Sequence, residues 1–158
     1  MTQLTLITGE DQAILRQICK PVTVFDEALE QTLENMLDTM LDEQDGGVRG
    51  IGLAANQVGI NARIMIVTFH LDKKEKHHKA VAMINPEIIE SSESTCVMEE
   101  GCLSLPKRFG KVRRSAKLKV KWQNIDGHWA EKKINGWDAR VFLHELDHLD
   151  GKLFIDYL

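Results

Sequence analysis

The sequence predicts an α+β fold with mostly antiparallel β-sheets packed around a buried C-terminal helix. Three observations predict it. Apolar and polar residues alternate through the middle of the chain, two stretches carry helical periodicity, and the decisive helix comes last, after the strands. The 158 residues suffice for one domain with a real core and are too few for two comfortable ones, so residues 1–158 are read as a single domain.

A short helix is expected from Asp11 to Cys19, closed by Pro21. From Asp26 to Asp45, Leu29, Leu33, Met36, Leu37, Met40 and Leu41 recur at threes and fours and make one apolar stripe. Asp26 is placed to cap that helix, and Gly46-Gly47 to stop it. The glycine-bearing stretch GIGLAANQVG runs from Gly50 to Gly59. RIMIVTF, Arg63 to Phe69, is rich in β-branched residues and predicts a buried strand. LDKKEKHHK reads as a loop, with His77-His78 on its surface. Ala80 to Ile89 is a second strand, which Pro86 confines to an edge or an end.

Lys111 to Trp122 alternates. Val112, Ala116, Leu118, Val120 and Trp122 fall on one side, Lys111, Arg113, Lys117, Lys119 and Lys121 on the other, which predicts a half-buried strand. The turn Asn124-Ile125-Asp126-Gly127 leads to a partner strand from His128 to Ile134. Asn135 or Asp138 is placed to cap the last helix, and Gly151 lies just past its end.

Composition narrows the function classes. With 43% hydrophobic and 28% charged residues, the chain is neither collagen-like, disordered nor disulfide-dense. A net charge of −4 gives no global pull toward nucleic acid or an anionic membrane. Eight Lys or Arg residues lie between Lys107 and Lys121 without an acidic one, but no base-stacking aromatic interleaves them. They read as the wet face of a strand. Three cysteines cannot all pair within the chain and suit a reducing compartment. No basic leader precedes a long apolar run, and no stretch reaches membrane-spanning length. The expectation is a soluble cytoplasmic protein.

The chemistry begins at HELDH, His144-Glu145-Leu146-Asp147-His148. If residues 138–149 are helical, the two imidazoles lie one turn apart and can converge on one cation. Val141 and Trp137 continue their face, while Phe142, Leu146 and Leu149 cover another, so the helix should be buried. An interior carboxylate such as Glu145 is costly without a partner, and a metal supplies one. A catalytic metal usually takes three protein ligands and a water. Nothing after His148 offers another histidine or glutamate, so the third ligand must lie upstream.

The upstream candidates are Cys19, Cys96, Cys102, His70, His77, His78, His128 and several carboxylates. Cys102 stands out in EGCLSLP, Glu100 to Pro106, where Gly101 and Pro106 fix an irregular turn. One thiolate and two imidazoles suit Zn²⁺, and also Fe²⁺, Co²⁺ or Ni²⁺. Glu145 directly follows His144, so its carboxylate can reach an open coordination position. There it can take a proton from a water and return it to a leaving amine.

GIGLAANQ, EGCLS and HELDH, in this order, resemble the three motifs of the peptide deformylase family, and the resemblance covers nearly the whole chain. It implies that Cys102, His144 and His148 hold one divalent metal, Fe²⁺ in the cell, and that Glu145 is the acid/base. It implies that Gln57 and the Leu103 N–H polarise a formyl carbonyl. Gly50 and Gly52 would let backbone approach the substrate. Ile51, Gly52 and Gly101 would lie along its peptide backbone, with Val141 and Glu100 near the methionine pocket. The substrates implied are formylmethionyl peptides.

Asn56 stands where that family usually has threonine, and Leu143 where glutamine commonly precedes the first histidine. Many members continue into a further C-terminal helix linked to ribosome docking. This chain ends at Leu158, so at most weak ribosome association is expected. A metallopeptidase of broader specificity is the alternative, against which the missing downstream ligand argues. A non-enzymatic metal-binding module is disfavoured by an intact Glu145, since structural sites need no base.

Overall fold

The first long helix, α1, spans Glu27–Leu41 and begins where expected, because the Asp26 carboxylate accepts the Leu29 N–H at 3.0 Å. The structure, a computed structural model, describes residues 2–42, 49–70 and 79–158. α1 stops short of Asp45. Asp42 already has extended backbone (φ −68°, ψ 144°), and the expected stop at Gly46-Gly47 lies outside the described residues. The helix expected from Asp11 to Cys19 is only a 3₁₀ turn, Ala13–Arg16. Beyond it the chain is drawn out straight: the Cys19 N–H donates to Leu149 O at 2.8 Å and the Lys20 N–H to Asn61 Oδ1 at 3.1 Å.

Among the described residues seven strands follow: β1 Gly52–Ala54, β2 Ile64–Phe69, β3 Lys79–Ser91, β4 Thr95–Cys102, β5 Leu105–Ser115, β6 Lys117–Gln123 and β7 Trp129–Asn135. A five-stranded antiparallel sheet has the order β1-β2-β3-β6-β7, and β4 and β5 form a separate antiparallel hairpin. The C-terminal helix α2 spans Gly136–Leu149, and a 3₁₀ turn covers Phe154–Tyr157. The fold is the predicted α+β arrangement. Among the described residues no helix is long and apolar enough to cross a membrane.

β3 continues through Pro86, where the sequence suggested an edge or an end. Ile84 is the last residue paired with β2 and the first paired with β6, and the register shifts before Glu87. Pro86, which has no N–H, sits in that shift and breaks no ladder. Asn85 takes the left-handed conformation there (φ 51°). Its amide holds both backbone groups of Val22, at 2.8 and 2.9 Å, and also donates to Gln123 Oε1 at 2.8 Å.

The single strand expected from Lys111 to Trp122 is two strands in two sheets. At Ala116 the N–H donates to Ser94 O at 2.9 Å, while the carbonyl accepts from the Gly136 N–H at 3.0 Å. The chain leaves the hairpin and joins the main sheet at that residue. The alternation survives, because Val112 on one side of the break and Leu118, Val120 and Trp122 on the other are all buried. β4 had no counterpart in the sequence reading, since its inward positions include Cys96 and Glu100 rather than a run of aliphatics.

At β2 the main sheet is buried on both faces. Met65, Val67 and Phe69 of β2 pack with Met83, Val120, Phe142, Leu146 and Leu149 on the α2 side. Ile64 and Ile66 pack with Met36, Met40, Leu53 and Ile84 on the α1 side. This explains why RIMIVTF shows no alternation. Each such side chain contributes roughly 1.5–3 kcal/mol on burial. α2 therefore lies against the sheet with its polar residues enclosed, as its near-uniform apolarity predicted. It starts two residues earlier than expected, and Asn135 precedes it without a side-chain cap. The Asp138 carboxylate accepts instead from the His70 N–H at 2.9 Å.

Candidate metal centre

α2 carries His144 and His148 one turn apart, with ring centroids 5.0 Å apart and edge to face. The end of β4 brings Cys102 to them. A bulge aims it: Gly101 pairs with Phe109, but Cys102 already pairs with Leu105, so residues 106–108 loop out of the ladder. The irregular turn expected from Gly101 and Pro106 is this bulge. One donor atom from each of Cys102, His144 and His148 lies within 4.8 Å of the other two, and Cys102 Sγ is 3.3 Å from His148 Nε2.

Glu100 is the electrostatic hub beside this group. Oε1 accepts from His144 Nδ1 at 2.8 Å and Arg114 Nη2 at 2.9 Å. Oε2 accepts from Arg114 Nε at 2.6 Å and Arg140 Nη1 at 2.7 Å. Burial opposes its charge, but the bonds to Arg114 and His144 outweigh that and hold its pKa well below the usual carboxylate range. The bond to Glu100 fixes the His144 ring and leaves Nε2 to face Cys102. Burial opposes a charge on His144 too, yet its bonds to Cys102 and Glu100 hold its pKa above the ordinary value. Burial, then the neighbouring His144, pushes His148 well below its ordinary value.

Glu145 is 5% exposed, and its Oε2 has no hydrogen-bond partner. Burial pushes its pKa up to about 7, with the His144 charge pulling the other way. Gly52 of β1 faces this carboxylate directly, which accounts for a glycine at that position.

Gln57 lies in the 3₁₀ turn Ala55–Val58 that follows β1. Its Oε1 accepts the Ala54 N–H at 2.9 Å. Its Nε2 donates to Ser104 Oγ at 3.0 Å and lies 3.6 Å from Cys102 Sγ, so the amide is held with its donors toward the thiol. The preceding residue, Asn56, donates to the His148 carbonyl at 2.6 Å and ties this turn to α2.

A cavity of about 840 Å³ opens over the group. Gly50, Ile51, Gly52, Gln57, Glu100, Gly101, Cys102, Leu103, Val141, His144 and Glu145 all line it, and His148, 1% exposed, lies beneath. The residues that the family resemblance pointed to therefore lie in or under one cavity. The remaining upstream candidates Cys19, Cys96, His70 and His128 are not in the donor group, and His77 and His78 lie outside the described residues. Sequence reasoning missed Arg114 and Arg140, which hold Glu100, and Phe109 on the cavity wall, where Trp137 joins it from the histidine face of α2. One signal was present: Arg114 sits on the apolar side of the Val112–Trp122 alternation, where a charge needs a buried partner.

The donors fit a divalent transition metal. A thiolate and two imidazoles converge, one imidazole is already oriented by a carboxylate, and three is the number a catalytic metal takes from a protein. Among the described residues no fourth histidine, cysteine or carboxylate joins the group.

The polypeptide deformylase family profile matches residues 4–158. The chain belongs to the peptide deformylase family. It is 46% identical over 143 residues to the peptide deformylase of Thermotoga neapolitana, covering 90% of this chain and 80% of that one. It is 40% identical to the Bartonella tribocorum peptide deformylase over 158 residues, covering 100% of this chain and 85% of that one. The crystal structure of the Thermotoga maritima peptide deformylase superposes with a TM-score of 0.87 at 43% identity, covering 100% of this chain and 99% of that one. A Met-Ala-Ser-bound class I type b peptide deformylase from Acinetobacter baumannii superposes with a TM-score of 0.87 at 36% identity, covering 99% of each chain. Membership in the peptide deformylase family makes this a metal-dependent hydrolase that removes the N-formyl group from nascent polypeptides.

Proposed function

We propose that residues 1–158 form one catalytic domain in which Cys102, His144 and His148 hold an Fe²⁺ ion in the cell and Glu145 moves the proton. Zn²⁺, Ni²⁺ and Co²⁺ fit the same donors. The observation that carries this reading is Glu145 itself: a buried carboxyl with an unpartnered oxygen, on the cavity wall, one residue from a donor histidine. Nothing structural accounts for placing a carboxyl there.

When bound, the ion would acidify a water and polarise the formyl carbonyl. Glu145 accepts the proton of the attacking water on its carboxylate and later delivers it to the nitrogen of the departing amine. Gln57 Nε2 and the Leu103 backbone N–H donate to the formyl oxygen as it gains charge. Each such donor contributes on the order of 3 kcal/mol. The Ala54 N–H holds the Gln57 amide so that its donors need not reorient. Gly50 and Gly52 keep the β1 side open, and Ile51, Gly52 and Gly101 flank the extended peptide. Val141 and Glu100 stand near the pocket that receives the methionine side chain.

A cytoplasmic location agrees with three free cysteines. The decisive experiment is anaerobic purification, metal identification, and formate release from formyl-Met-Ala-Ser beside cleavage of internal peptides. The proposal expects formate release, fastest with Fe²⁺ and slower with Zn²⁺, and no internal cleavage. Cleavage of internal peptides at a comparable rate would favour the broader metallopeptidase.

A further inference from the structure

The cavity is not the end of the hydrogen-bond chain that starts at His144. Beyond Glu100, the guanidinium of Arg114 turns its other edge to α2, and Nη1 donates to Asp147 Oδ2 at 2.7 Å. Asp147 Oδ2 also accepts the hydroxyl of Tyr157 at 2.9 Å. The Arg114 guanidinium carbon lies 5.0 Å from the centroid of the Tyr157 ring, so that ring meets the cation as well. The side chains of Arg114 and Asp147 are 6% and 14% exposed, whereas Tyr157 is 47% exposed on the C-terminal 3₁₀ turn.

We propose that Tyr157 is a positioning residue for His144, acting through Asp147, Arg114 and Glu100. The proposal rests on the reading of His144 as a metal ligand. A guanidinium is a rigid planar fork, so fixing one edge fixes the other. Asp147 and Glu100 grip opposite sides of it, and Glu100 sets the rotation of the His144 ring. Asp147 takes Arg114 and Tyr157 on the same oxygen, so the phenol decides where that oxygen sits. The consequence is that the C-terminal turn, which does not line the cavity, sets the angle at which an imidazole meets the ion. Outer partners of this kind typically change metal affinity 10- to 100-fold when removed, and a more distant member is expected to have a smaller effect.

The test loads the protein with Co²⁺ under anaerobic conditions and reads its visible bands and its affinity by competition with a chelator. Tyr157→Phe keeps the ring over Arg114 and deletes only the hydroxyl. It is expected to weaken Co²⁺ binding roughly 3- to 10-fold and shift the visible bands, with the thermal midpoint moved by no more than about 2 °C. Asp147→Asn, one link nearer, should shift the bands further in the same direction. Unchanged bands and affinity in Tyr157→Phe overturn the inference, as do unchanged bands in Asp147→Asn. His144→Ala separates the two readings. If it loses Co²⁺ while Tyr157→Phe is unmoved, the inference alone fails. If it binds Co²⁺ with unaltered bands, the ligand assignment fails and the inference falls with it.

Discussion

Gly52 leaves no room for a Cβ between its backbone and the side chain of Glu145. A Cβ at position 52 would stand 2.8 Å from both Cγ and Cδ of Glu145, and closer still to one carboxylate oxygen. Gly52→Ala should therefore push the proposed acid/base out of place while leaving the donor group intact. A displacement of about 1 Å typically costs on the order of 100-fold in rate. Formate-release kinetics with metal analysis on the same sample should show kcat falling by about that factor at full metal content. An unchanged kcat would mean that the carboxylate need not sit where it does.

Glu145→Gln keeps the shape of the side chain and removes its proton chemistry. The expected result is bound metal with activity lower by roughly 10²- to 10⁴-fold. The same variant should change stability in the metal-free protein. Glu145 is protonated more readily folded than unfolded, its pKa being raised from 4.5 to about 7. The contribution is full below about pH 4.5 and is lost as pH rises through about 7. Wild type in chelator should thus lose on the order of 3 kcal/mol between those limits from this group, and Glu145→Gln should not. Urea unfolding at pH 5 and pH 8 checks the difference.

Glu100→Gln removes the carboxylate from between two buried arginines. Breaking one partner of such a network typically costs about 3–5 kcal/mol, which chemical denaturation at pH 7 would read directly. The pH dependence has the opposite sign to that of Glu145. The folded pKa of Glu100 lies below its ordinary 4.5, so its contribution is whole above that value and drains away as acid is added. Wild type should lose stability on acidification below about pH 4.5 more steeply than Glu100→Gln does.

Chelation should abolish activity, and Fe²⁺ or Co²⁺ should restore it. Cys102 lines the cavity, so a thiol reagent such as iodoacetamide should label it once the ion is withdrawn. Cys19, 2% exposed, should stay unlabelled until the protein unfolds. Peptide mass mapping distinguishes the sites. Labelling of Cys102 at the same rate in loaded protein would contradict its assignment as a ligand.

Much of the site was legible because its chemistry is local in sequence. His144, Glu145 and His148 need only a helix to converge, and Cys102 needs only a stiff turn. The partners that hold Glu100 were hidden because they are far apart in the chain, on β5 and α2. The strands were legible wherever one face is apolar, but alternation carries no mark of which sheet a residue joins. That is why Lys111 to Trp122 read as one strand, although Ala116 hands the chain from Ser94, beside β4, to Gly136, just past β7. Pro86 suggested an edge or an end of β3 for a related reason. Pro86 looks like a stop unless one knows that Asn85 turns the backbone and that β3 changes its pairing partner there. The helix expected from Asp11 to Cys19 had acceptable local residues, but bonds to Leu149 and Asn61 straighten it from outside.

The β4–β5 hairpin forms its ladder with itself and meets α2 through side chains: Glu100 with Arg140 and His144, Arg114 with Asp147, and Cys102 beside His148. An ion held, as proposed, by Cys102 and the two histidines would therefore rivet two separately built pieces of the molecule together. Shedding it would strip the enzyme of a clasp as well as a reagent, so amide exchange in the hairpin should serve as a gauge of occupancy that needs no substrate at all.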